Sequence, residues 1–300
     1  MIRRLSLLLA IAALLLPACE PPSPAPSTGP VVLTSTSILA DIARNVAGDR
    51  VEVASLLPLG ADPHEFQSSP ADVQRIAESR AIIINGLGYE GFIQPLLESA
   101  GGEHRIITAS DGLQPLETAG VPGGTAADPH MWLDPARVVR YVENIRDGLS
   151  AADPEGAATY QTNAQAYIAR LMELDDWISQ QTQTIPPERR LLVTNHEALG
   201  YFADHYAFRV AATIIPSVST AAGTSARELA AVIDQIKATG APAIFVGRLE
   251  NVDLARQIAT ETGAVVVDDL YLESLSDGPP AASYIEMMQH NVQRIVDALK

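Results

Sequence analysis

The chain contains a single cysteine, Cys19, among its 300 residues. No intramolecular disulfide can therefore form, and the folded state has to be stabilised by packing. Basic residues are also scarce, because 20 Lys+Arg stand against 36 Asp+Glu and give a formal net charge of −16. This balance disfavours nucleic acid as a partner, since phosphate contacts need a basic surface, whereas an acidic field concentrates cations.

The apolar run near the N terminus, residues 5–16, is too short to span a bilayer as a permanent helix. It follows the basic pair Arg3-Arg4 and precedes Leu16-Pro17-Ala18-Cys19. This order is typical of a bacterial lipoprotein signal peptide, here residues 1–19, that is cleaved before a cysteine acylated on its thiol. A plain secretory signal with an incidental cysteine is the alternative. Residues 20–30 are rich in Pro, Ser and Thr and are predicted to form a solvated tether.

The remaining chain has a globular composition, with 47% hydrophobic and 19% charged residues overall. From residue 31 onward, short β-branched runs alternate with amphipathic helical patterns, which is typical of α/β folds with mostly parallel sheets. The predicted strands are Val31–Thr34, Val51–Leu57, Ala81–Asn85, Arg105–Thr108, Leu191–Thr194, Ala211–Ile215, Ala243–Val246 and Ala264–Val267.

Capping sequences mark several helix starts. Ser69-Pro70, Asp134-Pro135 and Asp153-Pro154 each place a capping side chain before a proline, and Ser225 with Glu228 forms a capping box.

No strand pattern occurs between residues 110 and 190, and a long helical pattern runs there until Pro186-Pro187. We therefore predict two similar α/β lobes, residues 31–154 and 185–300, joined by a helix over residues 155–184. At 1.5 Å per residue this helix would be roughly 40 Å long.

Three histidines stand in positions suited to metal binding. The tetrapeptide Ala61-Asp62-Pro63-His64 recurs as Ala127-Asp128-Pro129-His130, and each proline stiffens the backbone that presents the imidazole. His196 follows the predicted strand Leu191–Thr194, at the strand end where open α/β sheets bind ligands. His104, His205 and His290 lack such a context and are interpreted as structural or surface residues.

No local His-x-x-x-His spacing supports these three histidines. Taken one at a time, each is more often a structural residue than a ligand. Tertiary structure would have to assemble the site.

The motifs as a set resemble those of the zinc- and manganese-binding solute-binding lipoproteins of ABC importers (cluster A-I, the zinc-uptake ZnuA/TroA-like family). The similar segments are Gly60-Ala61-Asp62-Pro63-His64-Glu65-Phe66 with Ser69-Pro70-Ala71-Asp72, Asp128-Pro129-His130-Met131-Trp132-Leu133-Asp134-Pro135, and Val193-Thr194-Asn195-His196-Glu197-Ala198-Leu199-Gly200-Tyr201-Phe202. The resemblance extends over residues 31–300. It implies two α/β lobes joined by one long backbone helix, with a metal site in the cleft between them.

The resemblance also implies a fourth ligand late in the chain. Glu273, in the segment Asp269-Leu270-Tyr271-Leu272-Glu273-Ser274-Leu275, stands at the matching position. Asp268, Asp269 and Glu250 remain alternatives. The His-rich loop that zinc-type members often carry before the second motif is absent from residues 117–127, so we expect no second, scavenging metal site.

Three imidazoles and one carboxylate suit Zn²⁺ better than Mn²⁺, which prefers more oxygen ligands. Glu65 and Glu197 are candidates either to offset the remaining positive charge of the site or to orient the imidazoles as hydrogen-bond acceptors. We expect a monomeric zinc-binding protein that delivers its ion to an ABC permease, with a manganese- or iron-binding protein of the same family as the alternative.

Two further classes of protein stay open at this stage. Without Glu273 as a ligand, an open coordination position would allow a zinc hydrolase, although no Gly-x-Ser-x-Gly elbow is present. A surface adhesin would use the metal only to support its fold.

Overall fold

The N-terminal lobe is built on a four-stranded parallel sheet in the order β2-β1-β3-β4. The computed structural model describes residues 31–121 and 124–300. The strands are β1 (Val32–Thr34), β2 (Val53–Ser55), β3 (Ala81–Ile84) and β4 (Ile106–Thr108). Helices α1 (Ser37–Ala47), α2 (Pro70–Glu78) and α3 (Ile93–Ala100) connect them in turn.

The C-terminal lobe repeats this plan with the strand order β10-β9-β7-β8, again all parallel. Its strands are β7 (Leu191–Thr194), β8 (Arg209–Thr213), β9 (Ala243–Gly247) and β10 (Val265–Leu270). The lobe's helices are α6 (Gly200–His205), α7 (Ala226–Thr239), α8 (Asp253–Thr262) and α9 (Tyr284–Leu299). Two similar parallel sheets confirm the predicted α/β fold class.

Between the lobes run α4 (Pro135–Ala152) and the 27-residue helix α5 (Ala157–Gln183). One face of α5 is buried along its length. Its buried positions include Tyr160, Ala164, Tyr167, Leu171, Leu174 and Ile178. Because α5 packs on both α1 and α9, one hydrophobic core extends continuously through both lobes.

The predicted helix starts are mostly observed as capped N termini. Capping boxes form at Ser69 and Ser225, and the Asp134 side chain accepts from the amide of Ala136. Asp153 differs, because only a short 3₁₀ turn follows it and its carboxylate instead binds Arg50 at 2.8 Å and the Tyr160 hydroxyl.

Strand ends differ from the prediction by up to three residues, and β7 agrees with it at both ends. The strand predicted at Val51–Leu57 is observed as the shorter β2, Val53–Ser55. The strand predicted at Ala211–Ile215 is observed two residues earlier as β8, Arg209–Thr213. Strand ends depend on which neighbouring backbone is available for pairing, and a single strand's sequence does not contain that information.

The expectation of no strand between residues 110 and 190 is wrong. An antiparallel hairpin, β5 (Glu117–Val121) with β6 (Gly124–Ala127), lies there. Its sequence, rich in Gly, Ala and Thr, lacks the apolar alternation that identifies half-buried strands.

The predicted signal peptide, its Cys19 and the tether lie outside the described residues. Within residues 31–121 and 124–300, no helix is both long and apolar enough to cross a membrane. The boundaries proposed for the two lobes and the linking helix stay predictions.

Candidate metal centre

His64 is presented by the loop that follows β2. Its backbone amide donates to Asp62 Oδ1 at 2.8 Å, which closes a tight turn across Pro63. The His64 side chain retains 7% of its full exposure. The predicted rigid presentation of this imidazole thus has a specific origin in the Asp62 carboxylate.

His130 lies at the end of the hairpin β5–β6, immediately before a 3₁₀ turn that leads into α4. Asp128 Oδ1 accepts from the His130 amide at 2.9 Å and also lies 2.8 Å from the imidazole Nδ1. The Asp128 carbonyl in turn accepts from the Tyr201 hydroxyl at 2.6 Å. Asp128 and His130 are fully buried, so both the backbone and the ring of His130 are held.

His196 lies two residues beyond Thr194, the last residue of β7 in the C-terminal sheet. Its Nδ1 lies 2.8 Å from Glu250 Oε1, and Glu250 Oε2 accepts from the Gly247 amide at 2.9 Å. Glu250 follows the neighbouring strand β9. The pairing of two adjacent strands therefore sets the direction of the His196 ring.

Glu273 follows β10 and turns toward the three imidazoles. Its Oε2 accepts from the Tyr89 hydroxyl at 2.6 Å, and the carbonyl of the preceding Leu272 accepts from Trp132 Nε1 at 2.8 Å. Its other oxygen, Oε1, lies 3.3 Å from His196 Nε2, 3.4 Å from His130 Nε2 and 4.0 Å from His64 Nε2. Tyr89 and Trp132 belong to the opposite lobe, so Glu273 is positioned from across the cleft.

These four side chains form the metal cluster, a group defined by His64, His130, His196 and Glu273. One ligand atom from each lies within 4.8 Å of all the others. Four ligand atoms bound at about 2.0–2.1 Å to a tetrahedral zinc ion lie about 3.3–3.4 Å apart. Most of the measured separations already match this spacing.

Hydrogen bonding within the described residues also fits a metal. His64 Nε2 and Glu273 Oε1 are buried without a hydrogen-bond partner there, although burying such atoms unpaired is costly. Both atoms point into the metal cluster. A divalent cation bound between them would compensate this cost.

Charges within the metal cluster shift the pKa values of its members. Burial alone would raise the pKa of the Glu273 carboxyl, but the imidazoles of His130, His196 and His64 hold that pKa well below its usual range. Burial would lower the pKa of His196, yet Glu250 and Glu273 raise it to about 10.

The two remaining imidazoles shift in opposite directions. Burial alone would lower the pKa of His130, but the negative charges of Glu273 and Asp128 have the larger effect, so this pKa is raised. The pKa of His64 is lowered, mainly by burial. A metal ion therefore meets an ionised carboxylate and displaces protons from imidazole.

The structure brings together the four residues selected from the sequence and separates the alternatives. Asp268 pairs with Arg256 at 3.0 Å and Asp269 with Arg294 at 2.8 Å, both on the surface. Glu250 lies behind His196 rather than beside the other imidazoles.

The carboxylates that contact the rings of His130 and His196 are Asp128 and Glu250, whereas Glu65 is exposed. The charges of His196 and His130 act on the Glu197 carboxyl, which agrees with the expected charge compensation by Glu197. The repeated Asp-x-His spacing was the available signal for Asp128. Nothing in the local sequence identified Tyr89.

The other three histidines lie outside the metal cluster. His104 is half-buried and contacts the Gly101 carbonyl, and His205 binds Asp134 at 2.7 Å. His290 contacts the Asp269 carbonyl at 3.0 Å. Each has the structural or surface environment that its sequence context predicted.

A sequence model described as "Zinc-uptake complex component A periplasmic" (ZnuA) matches residues 32–298. The chain belongs to the ZnuA family. This family consists of extracytoplasmic solute-binding proteins of ABC importers and not of enzymes, which confirms the predicted family and excludes the hydrolase alternative.

Relatives within the ZnuA family are named for different metals. The manganese-binding lipoprotein MntA of Halalkalibacterium halodurans is 35% identical over 270 residues, covering 89% of this chain and 88% of MntA. The iron-binding protein YfeA of Yersinia pestis is 33% identical, covering 88% of this chain and 84% of YfeA. The periplasmic zinc-binding protein TroA of Treponema pallidum superposes with a TM-score of 0.82 at 27% identity, covering 90% and 99% of the two chains. Family membership therefore establishes metal binding and leaves the metal to be argued from the site.

Proposed function

We propose that this chain captures Zn²⁺ outside the cytoplasmic membrane and delivers it to an ABC permease for import. The observation that supports this function most directly is the convergence of one ligand atom each from His64, His130, His196 and Glu273 within 4.8 Å. We propose these four residues as the ligands. Three nitrogens and one carboxylate oxygen complete a tetrahedral shell, as in zinc sites that bind without catalysing.

Zinc is proposed because the ligand set is rich in nitrogen. Mn²⁺ prefers oxygen ligands and a higher coordination number, whereas imidazole suits zinc well. The names of MntA and YfeA support manganese or iron as the second candidate. In that case, the Glu273 carboxylate could expand the shell by binding through both oxygens, and its Oε2 would then share its lone pairs between the metal and the Tyr89 hydroxyl at 2.6 Å.

Delivery follows from the site's placement and from the predicted anchor. Neutral imidazoles and the Glu273 carboxylate bind the ion in the cleft, and the loaded monomer docks on the permease. We propose that Cys19 carries a lipid that anchors the protein on the outer face of the cytoplasmic membrane or in the periplasm. The relatives named as lipoproteins support this part of the proposal.

The experiment is a competitive titration of the metal-stripped protein with Zn²⁺ and Mn²⁺, monitored by metal content and calorimetry. We expect one Zn²⁺ per chain, held more tightly than Mn²⁺. His196→Ala and Glu273→Ala should each weaken Zn²⁺ binding, because each removes one of four ligands. His104→Ala is the matched control, since His104 is a half-buried histidine outside the metal cluster.

A preference for Mn²⁺ would favour the second candidate. Zinc binding that is indifferent to Glu273→Ala would contradict the proposed fourth ligand. A metal-stripped chain that fails to fold would instead indicate a structural metal, as in the adhesin alternative.

A further inference from the structure

The two sides of the metal cluster are attached to the N-terminal lobe very differently. On the Glu273 side, the segment 272–275 is bound by four groups of that lobe. These groups are the Ser37 hydroxyl, the Gly60 amide, the Tyr89 hydroxyl and the Trp132 indole N–H. With this many contacts, the Glu273 side is closed firmly.

The opposite side is formed by the C-terminal lobe's loop 214–225, between β8 and α7. We call it the 214–225 loop. Within the described parts of the chain, one hydrogen bond joins this loop to the N-terminal lobe, from Thr220 Oγ1 to Asp62 Oδ2 at 2.7 Å. The side of the cleft held by the 214–225 loop is therefore the easier one to open.

Asp62 connects that hydrogen bond directly to a proposed ligand. Its Oδ1 accepts from the His64 amide at 2.8 Å while its Oδ2 accepts from Thr220. At the other end of the 214–225 loop, the Ser217 carbonyl accepts from the amide of Glu197 at 2.9 Å, one residue beyond His196. The loop thus links the backbone that presents His64 to the backbone that presents His196.

Two cavities flank the metal cluster, one of about 380 Å³ lined by Glu273 and one on the side of the 214–225 loop. The second cavity, of about 430 Å³, is lined by His64, Tyr89, Val218 and Ser219 among others, and not by His130, His196 or Glu273. The His64 side chain is 7% exposed, compared with 0–2% for the other three members of the metal cluster. An ion that leaves by this cavity has to pass His64 and the 214–225 loop.

We propose that Thr220 is a positioning residue that holds the 214–225 loop closed against Asp62 and so slows release of the bound metal past His64. The inference rests on the proposed metal-binding function and deepens it. Opening requires the Thr220–Asp62 hydrogen bond to break, after which the loop and the His64 arm separate. The Glu273 side keeps its contacts during this step.

The test is stopped-flow release of Zn²⁺ from the purified, zinc-loaded protein into excess chelator. Thr220→Val keeps the shape of the side chain and removes its hydroxyl, so we expect release to be about 2- to 10-fold faster, the effect of one net hydrogen bond. Thr220→Ser restores a hydroxyl and should release at nearly the wild-type rate.

Thr224→Val is the matched control within the same loop. The Thr224 hydroxyl is buried and has no hydrogen-bond partner among the described residues, so its removal breaks no contact across the cleft. Its release rate should equal that of the wild type. Thermal unfolding of all metal-free variants should be unchanged, because the proposed role concerns release and not folding.

Equal release rates for Thr220→Val and wild type would overturn the proposal. So would acceleration by Thr224→Val to the same extent, which would indicate general loosening of the loop. A wild-type protein that binds no zinc, manganese or iron would refute the proposed function itself, whereas one zinc per chain with an unchanged release rate would refute only the role of Thr220.

Discussion

The same tetrapeptide, Ala-Asp-Pro-His, presents an imidazole twice in this molecule, at residues 61–64 and at residues 127–130. In both copies the aspartate Oδ1 accepts from the histidine amide, at 2.8 Å and 2.9 Å, so the local turn is the same. The environments of the two rings differ. Asp128 also contacts the ring of His130, whereas the second oxygen of Asp62 binds Thr220.

This difference separates two functions of one motif. In the second copy, a buried aspartate fixes the ring and favours its protonation when metal is absent. In the first copy, the aspartate binds the histidine's backbone but not its ring, which packs edge-on against Tyr89, and the same aspartate connects to a loop of the other lobe. We infer that His130 belongs to the fixed part of the site and His64 to the part that moves.

Removing the imidazoles should give the largest effects. If about 10–16 kcal/mol of structural zinc binding is shared among four ligands, each ligand contributes about 2.5–4 kcal/mol, or about 100- to 1,000-fold in affinity. We expect His130→Ala to lie at the upper end and His64→Ala at the lower end, because His130→Ala also leaves Asp128 buried without its ring partner. Calorimetric zinc titration of both variants measures the difference. A larger loss of zinc affinity in His64→Ala than in His130→Ala would contradict the assignment of His130 to the fixed part of the site and His64 to the moving part.

Changing the two aspartates should give smaller and unequal effects. Asp128→Asn removes the charge behind the His130 ring, and such changes typically weaken metal binding about 10- to 100-fold. Asp62→Asn keeps an oxygen for the His64 amide, so we expect it to weaken zinc affinity by less than about tenfold. The same titration compares them. Equal losses would show that the aspartates have equivalent roles in spite of their different contacts.

Lowering the pH should also weaken zinc binding. The carboxylates raise the pKa of His130 and His196, so these rings bind protons near neutral pH without metal, and zinc has to displace them. Zinc affinity should therefore fall as the pH falls below about 10, where the His196 ring takes up its proton, by up to about tenfold per pH unit for each proton displaced. Affinity that stays constant down to about pH 5 would contradict ligation by histidine.

The two arms should differ in this pH dependence as well. Burial lowers the pKa of His64, so this ring carries no proton to release at neutral pH. His64→Ala should keep the pH slope of zinc affinity, and His130→Ala should reduce it. Proton release, measured by calorimetry in buffers of different ionisation enthalpy, checks both expectations.

Much of the fold could be predicted because its signals are local. The capping boxes at Ser69 and Ser225 and the buried face of α5 are set by residues three or four positions apart. The hairpin β5–β6 was not predicted because its residues have only a weak strand pattern and form strands by pairing with each other. The exact ends of β2 and β8 likewise depended on their neighbours.

The residues of the candidate site could be selected from the sequence, but their roles could not. Glu250 and Glu273 were both acidic candidates, and only the structure distinguishes the one behind His196 from the one among three imidazoles. Tyr89, which contacts Glu273 from 184 positions away, carried no local signal.

By itself, the sequence determined the types of side chain available, the caps that start the helices, and the turn within each Asp-Pro-His, because these depend on neighbouring residues. Only the tertiary structure decided that His64, His130, His196 and Glu273 meet within 4.8 Å, and that one copy of the motif is fixed while the other faces Thr220. The physical reason is that these side chains are more than 60 residues apart. Their separation in space depends on how two sheets and α5 pack, which no periodic pattern within a segment encodes.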